Sequence, residues 1–222
     1  MRSIINDNLF RHVSASTDKL NSLCTIIHKL KSEGIYRGEV YLKEQFLGNF
    51  KINYNSKTQT SQINIDTSLF DPTYKTPRTQ LSLSGPLEVG IDGYVVFHVS
   101  GHHNGIYIRI RKVTEKKEED YFDSRKLGKG DMAVFRVIYP GEYFIQNTTK
   151  SQTFQFTVKE EKEGKYPHPS KLQPLTIVLT EKNFESKKAE VYPLQAILIK
   201  AETDCLLKLE YQKSNKDRKK VK

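Results

Sequence analysis

Two adjacent histidines, His102 and His103, stand between glycines in Ser100-Gly101-His102-His103-Asn104-Gly105. Imidazole nitrogens are common ligands for zinc and copper. Neighbours on a strand point to opposite faces, so this pair could hold one ion only from a loop, which the glycines permit. A third ligand would have to come from His98 or His168; otherwise the segment reads as a hairpin loop with solvent-exposed imidazoles.

A second group follows at once. Ile106 to Arg111 alternates aliphatic with polar or amphipathic residues, which puts Tyr107, Arg109 and Arg111 on one face of a strand. Arg136 on a neighbouring strand could join them. Rings and guanidinium groups on an open sheet can stack bases and hold phosphates. Tyr and Arg also decorate the wet face of ordinary antiparallel sheets, where their stems cover apolar surface.

Nothing else reads as chemistry. The run Glu115 to Asp120 mixes charges in the manner of a solvated loop, and no serine occupies a G-x-S-x-G elbow. The chain is expected to be non-enzymatic and to carry no cofactor. Asn147-Thr148-Thr149 matches the glycosylation acceptor and is read as marking an exposed hairpin loop.

The elements that must position these residues are mostly strands. Period-two alternation marks Tyr94 to Val99, Ile106 to Arg111, Met132 to Ile138, Tyr143 to Asn147 and Thr153 to Val158, which together predict an antiparallel β-sandwich over residues 81–160. Before it, Leu20, Leu23, Ile27 and Leu30 recur at spacings of three and four and predict an N-terminal helix with Gly34 as its C-cap. A hairpin, Glu39 to Leu42 and Phe46 to Ile52 around Lys43-Glu44-Gln45, completes a first unit over 1–70. Pro-flanked linkers are expected at 71–80 and 161–174. Further strands over 175–211 form a small additional β region, and 212–222 is a basic disordered tail.

The central segment resembles the cupredoxin-like sandwiches, and an immunoglobulin-like sandwich is the other arrangement the pattern fits. The similarity rests on Gly85 to Phe97 leading into Gly101-His102-His103, and on Leu127 to Phe135 followed by Tyr139-Pro140-Gly141-Glu142-Tyr143. It implies the fold without the metal. Where blue-copper members carry a cysteine followed by histidine and methionine, this chain has Gln146 and Asn147.

Charge sharpens the choice of partner. The net charge is +10, from 36 basic and 26 acidic residues, and half of the excess sits in residues 212–222. A tail of that kind can touch nucleic acid or another polyanion through salt-screened attraction. No run approaches the roughly 18 apolar residues that would cross a bilayer. Cys24 and Cys205 show no CxxC spacing and are expected to be buried thiols of a cytoplasmic protein. The sequence therefore predicts a binding or protein-interaction module, with nucleic-acid binding or metal binding through His102 and His103 as the alternatives.

Overall fold

In the computed structural model, residues 10, 12–71, 85–160 and 171–212 are described. They form sixteen strands and no α-helix. The strands are β1 (Ala15–Ser16), β2 (Cys24–Lys29), β3 (Gly34–Leu42), β4 (Gln45–Asn55), β5 (Gln62–Asp66), β6 (Leu87–Gly90), β7 (Tyr94–His98) and β8 (Ile106–Val113). After them come β9 (Glu118–Asp123), β10 (Met132–Phe135), β11 (Gly141–Asn147), β12 (Gln152–Val158), β13 (Leu175–Leu179), β14 (Lys188–Val191), β15 (Ile197–Ala201) and β16 (Leu207–Gln212).

These strands make three mixed sheets in place of the antiparallel sandwich that the alternation predicts. A six-stranded sheet runs β13-β15-β10-β2-β7-β5, and two five-stranded sheets run β6-β4-β3-β8-β9 and β1-β16-β11-β12-β14. Parallel pairing comes from the path of the chain. From β4 it crosses to β5, back to β6 beside β4, and again to β7 beside β5, so both neighbouring pairs are parallel, as in a turn of a β-solenoid. The same winding recurs from β12 to β15. The linkers expected near 71–80 and 161–174, and the basic tail, lie almost wholly outside the described residues.

The predicted N-terminal helix is β2. Its leucines fit a helical stripe, but Thr25, Ile26 and Ile27 are β-branched in succession, which favours extended backbone. As a strand the segment buries Cys24, Ile26 and His28 on one face and leaves Thr25, Ile27 and Lys29 partly exposed on the other. The predicted hairpin is present as β3 and β4, turning through Lys43 at a φ of 56°. The acidic run expected as a loop contributes the edge strand β9, held to β8 by cross-strand ion pairs.

The two halves of the chain, β1–β8 and β9–β16, follow one plan. Each central-sheet trio, β2-β7-β5 or β10-β15-β13, is matched by an outer sheet in the order β6-β4-β3-β8 or β14-β12-β11-β16. Details repeat too. Gly34 and Gly141 open β3 and β11 with φ of 145° and 139°, conformations that favour glycine. Two residues on, Tyr36 and Tyr143 are buried and donate their hydroxyl protons to the carbonyl four residues back, of Ser32 and Tyr139. Asp92 and Leu194 occupy matching left-handed positions, φ 68° and 66°, before β7 and β15.

The halves are interlocked. β9, the first strand of the second half, pairs with β8 of the first, and β1 pairs with β16 of the second. Behind each exchange a hydroxyl residue makes the same two bonds. Thr17 N–H donates to Leu207 O at 2.9 Å while Oγ1 accepts from Leu207 N at 3.2 Å. Ser124 N–H donates to Ile108 O at 2.9 Å while Oγ accepts from Ile108 N at 3.0 Å. The inward faces of all three sheets merge into one apolar core containing Ile26, Phe50, Phe97, Phe135, Phe154 and Ile199.

Candidate functional site

The outer face of the sheet that holds β3, β8 and β9 carries Tyr107, Arg109 and Arg111, as their spacing predicts. Tyr107 is buried, stacked on Tyr41 with ring centroids 4.9 Å apart and capped by the Arg125 guanidinium at 4.3 Å. Burial pushes both phenols above their ordinary pKa. Arg109 meets Asp120 at 3.2 Å, and Arg111 meets Asp120 at 3.3 Å and Glu118 at 3.7 Å. Arg37 meets Glu39 and Glu118, and Arg125 grips Asp123 at 2.7 Å. Four arginines thus face four carboxylates. Such a face has little positive potential left for phosphate, and its rings are already stacked on each other.

Arg136 does not join this face. It follows β10, and with His98 it lines a groove of about 390 Å³ on the outer face of the six-stranded sheet. The cross-strand register shows what that face presents. One row runs Val178, Lys200, Met132, Ile27, Val96, Asn64, and the next runs Thr176, Leu198, Val134, Thr25. The aliphatic members are partly exposed apart from Val134, which is buried at 8% exposure. Arg136 and Lys200 are exposed, and neither forms an ion pair with a described residue.

His102 and His103 occupy the expected loop between β7 and β8. His102 is exposed, whereas His103 is buried with Nε2 3.4 Å from Asp71 Oδ2. Burial lowers the pKa of His103, against the opposing pull of Asp71. Among the described residues no group of three His, Cys, Asp or Glu side chains is placed to hold a metal ion. His98 points to the groove described above, and His168 lies outside the described residues.

Other expectations meet particular surroundings. Asn147 is fully buried, donates to Gln152 Oε1 at 2.8 Å and accepts from Thr149 N, so the glycosylation match is a structural side chain, not an exposed loop tip. Cys24 and Cys205 are buried free thiols. Burial raises both thiol pKa values, that of Cys205 to about 12, which leaves them poor nucleophiles.

A buried polar pair escaped the sequence reading. His28 Nδ1 lies 2.6 Å from Asp131 Oδ1, with side chains 5% and 6% exposed, and Asp131 Oδ2 accepts from Gly128 N at 2.8 Å. The Phe122 ring covers the imidazole at 4.1 Å and Tyr121 meets it edge-on at 5.7 Å. The signal was the alternation Cys24, Ile26, His28, Leu30, which puts a histidine on the inward face once the segment is read as a strand.

No protein-family model, no curated protein and no solved structure matches this chain. Among the described residues no helix is long and apolar enough to cross a membrane.

Proposed function

We propose that the protein is a non-enzymatic interaction module that offers the outer face of its six-stranded sheet to an acidic polypeptide bearing aliphatic side chains. The observation that carries this reading is the aliphatic band of Ile27, Val96, Met132 and Leu198 flanked by Arg136 and Lys200. Apolar area supplies affinity, and cations without internal counter-charges supply orientation and encounter rate. A second copy of the chain fits less well, because it would bring the same cations together. Nucleic acid fits less well because Ile, Val, Met and Leu give bases no ring to stack on. We place the protein in the cytoplasm, where its two free thiols would persist.

The test is a photo-crosslinking amino acid at Val96 in the full chain, used in extracts of the source cells and followed by mass spectrometry. The expected product is a crosslink to an Asp/Glu-rich polypeptide segment, weakened by salt and abolished by Arg136→Glu with Lys200→Glu. Crosslinks only between copies of the chain, crosslinks to nucleic acid, or a yield unaffected by charge reversal would overturn the reading.

A further inference from the structure

The duplicated plan allows each buried polar group to be compared with its counterpart in the other half. In the β2–β10 ladder Phe135 lies opposite Cys24, and His28 and Asp131 take the matching places at the other end. The fold therefore builds one end of this ladder from a ring and a thiol, and the other from an imidazole and a carboxylate. Burying ionisable groups opposes folding unless good geometry repays the lost hydration. The ladder end with Cys24 and Phe135 shows that the architecture does not require such a pair, so its presence at one end alone points to a ligand.

The surroundings say which kind. His28 and Asp131 border a crevice of about 480 Å³ between β9 and the turn before β10, lined also by Lys31, Arg109, Tyr121 and Lys126. A carboxylate only accepts hydrogen bonds, so Nδ1 donates to Asp131 and Nε2 is the ring nitrogen left to meet a ligand. Nε2 is buried and, among the described residues, meets no hydrogen-bonding group. It calls for a group such as a hydroxyl, which can donate or accept. Charge around the crevice is balanced, with Asp120 and Asp123 held by Arg109 and Lys126 paired to Asp204 at 2.8 Å, which favours neither an anion nor a cation. The partly exposed ring of Tyr121 suits the C–H face of a sugar ring.

We propose that this crevice binds a small neutral polyhydroxylated ligand, a monosaccharide unit, with His28 Nε2 hydrogen-bonded to one ligand hydroxyl and Asp131 fixing the orientation of the imidazole. This site is separate from the outer face of the six-stranded sheet and stands or falls independently of it. The test is nuclear magnetic resonance titration of the full chain with methyl glycosides of glucose, galactose, mannose and N-acetylglucosamine, with acetate and methylammonium as charged controls. A saturable shift of the His28 Nε2 resonance and of the Tyr121 amide with at least one glycoside is expected. In the variant His28→Phe with Asp131→Cys, which installs the pair of the ladder's other end, the Tyr121 shift should weaken about tenfold or more, as for loss of one hydrogen bond to a buried group. Should that variant not fold, Lys31→Ala at the exposed rim provides the second readout and should also weaken binding. No saturable shift with any glycoside, a response to the charged controls alone, or full binding by the variants would overturn the proposal.

Discussion

The two halves of this protein share a chain path and differ in how they fill it. Tyr36 and Tyr143, Gly34 and Gly141, and Thr17 and Ser124 do the same work in each half. At the β2–β10 ladder they diverge, with Cys24 and Phe135 at one end and His28 and Asp131 at the other. What recurs is what the architecture needs: a backbone turn that favours glycine, a hydroxyl to satisfy a strand end, a ring to fill a layer. What differs is free to serve something else. The comparison thus separates structural polar groups from functional candidates within one molecule.

The most severe way to probe this comparison is to excavate both cores. Phe50 and Phe154 hold matching places in β4 and β12 and are almost fully buried. Phe50→Ala and Phe154→Ala should each cost about 3–5 kcal/mol in urea unfolding, with similar values if the halves share one load-bearing plan. A cost confined to one half would break the equivalence.

A smaller and more diagnostic effect is expected at the divergent end. Asp131→Ala leaves His28 buried without its partner and should cost about 3 kcal/mol. Replacing both members instead, His28→Phe with Asp131→Cys, should leave stability within about 1 kcal/mol of wild type, because apolar replacement of a buried pair is often neutral. If the exchanged protein were as unstable as the single variant, the pair would be structural after all.

Where the halves agree, single hydroxyls should matter equally. Thr17→Val and Ser124→Ala each remove an acceptor for a buried strand amide, and each should cost about 1–2 kcal/mol by chemical denaturation.

The smallest effect is one of pH. Burial lowers the pKa of His103, so the folded state binds fewer protons than the unfolded chain as pH falls below the ordinary imidazole value of about 6.5. The stability held with neutral His103 is present above that pH and is lost on acidification. The urea midpoint of His103→Phe should therefore depend less on pH than that of wild type between about pH 7 and pH 5. Equal slopes would show that His103 titrates as it does in the unfolded chain.

Much of the strand content was legible in the residues, and the reasons are local. Leu175 to Leu179 and Thr153 to Val158 alternate because neighbouring side chains on a strand face opposite ways, and the structure forms β13 and β12 there. The spacing of Leu20, Leu23, Ile27 and Leu30 misled because leucines at helical intervals also fit a strand and its flanking turns, and only the β-branched run at 25–27 argued otherwise. Tyr107, Arg109 and Arg111 were correctly gathered on one face, but their neutralisation by Glu39, Glu118, Asp120 and Asp123 depends on strand register. Arg136, which could have joined that face from a neighbouring strand, lies on another sheet, since no local signal says which sheet a strand enters. The duplication itself was faintly written in Gly34-Ile35-Tyr36 and Gly141-Glu142-Tyr143. Unequal loop lengths shift the later matches out of step, so no single period exposes it.

By itself the sequence determined that this chain is built of strands, which side of each strand is apolar, and that its cysteines carry no redox or metal spacing. Those are properties of neighbouring residues. Tertiary structure alone decided that β4 lies parallel to β6, that β1 and β9 are exchanged between halves, and that His28 meets Asp131. Such pairings join residues far apart in the chain, and they are fixed by the burial of whole faces against one another, which no local pattern specifies.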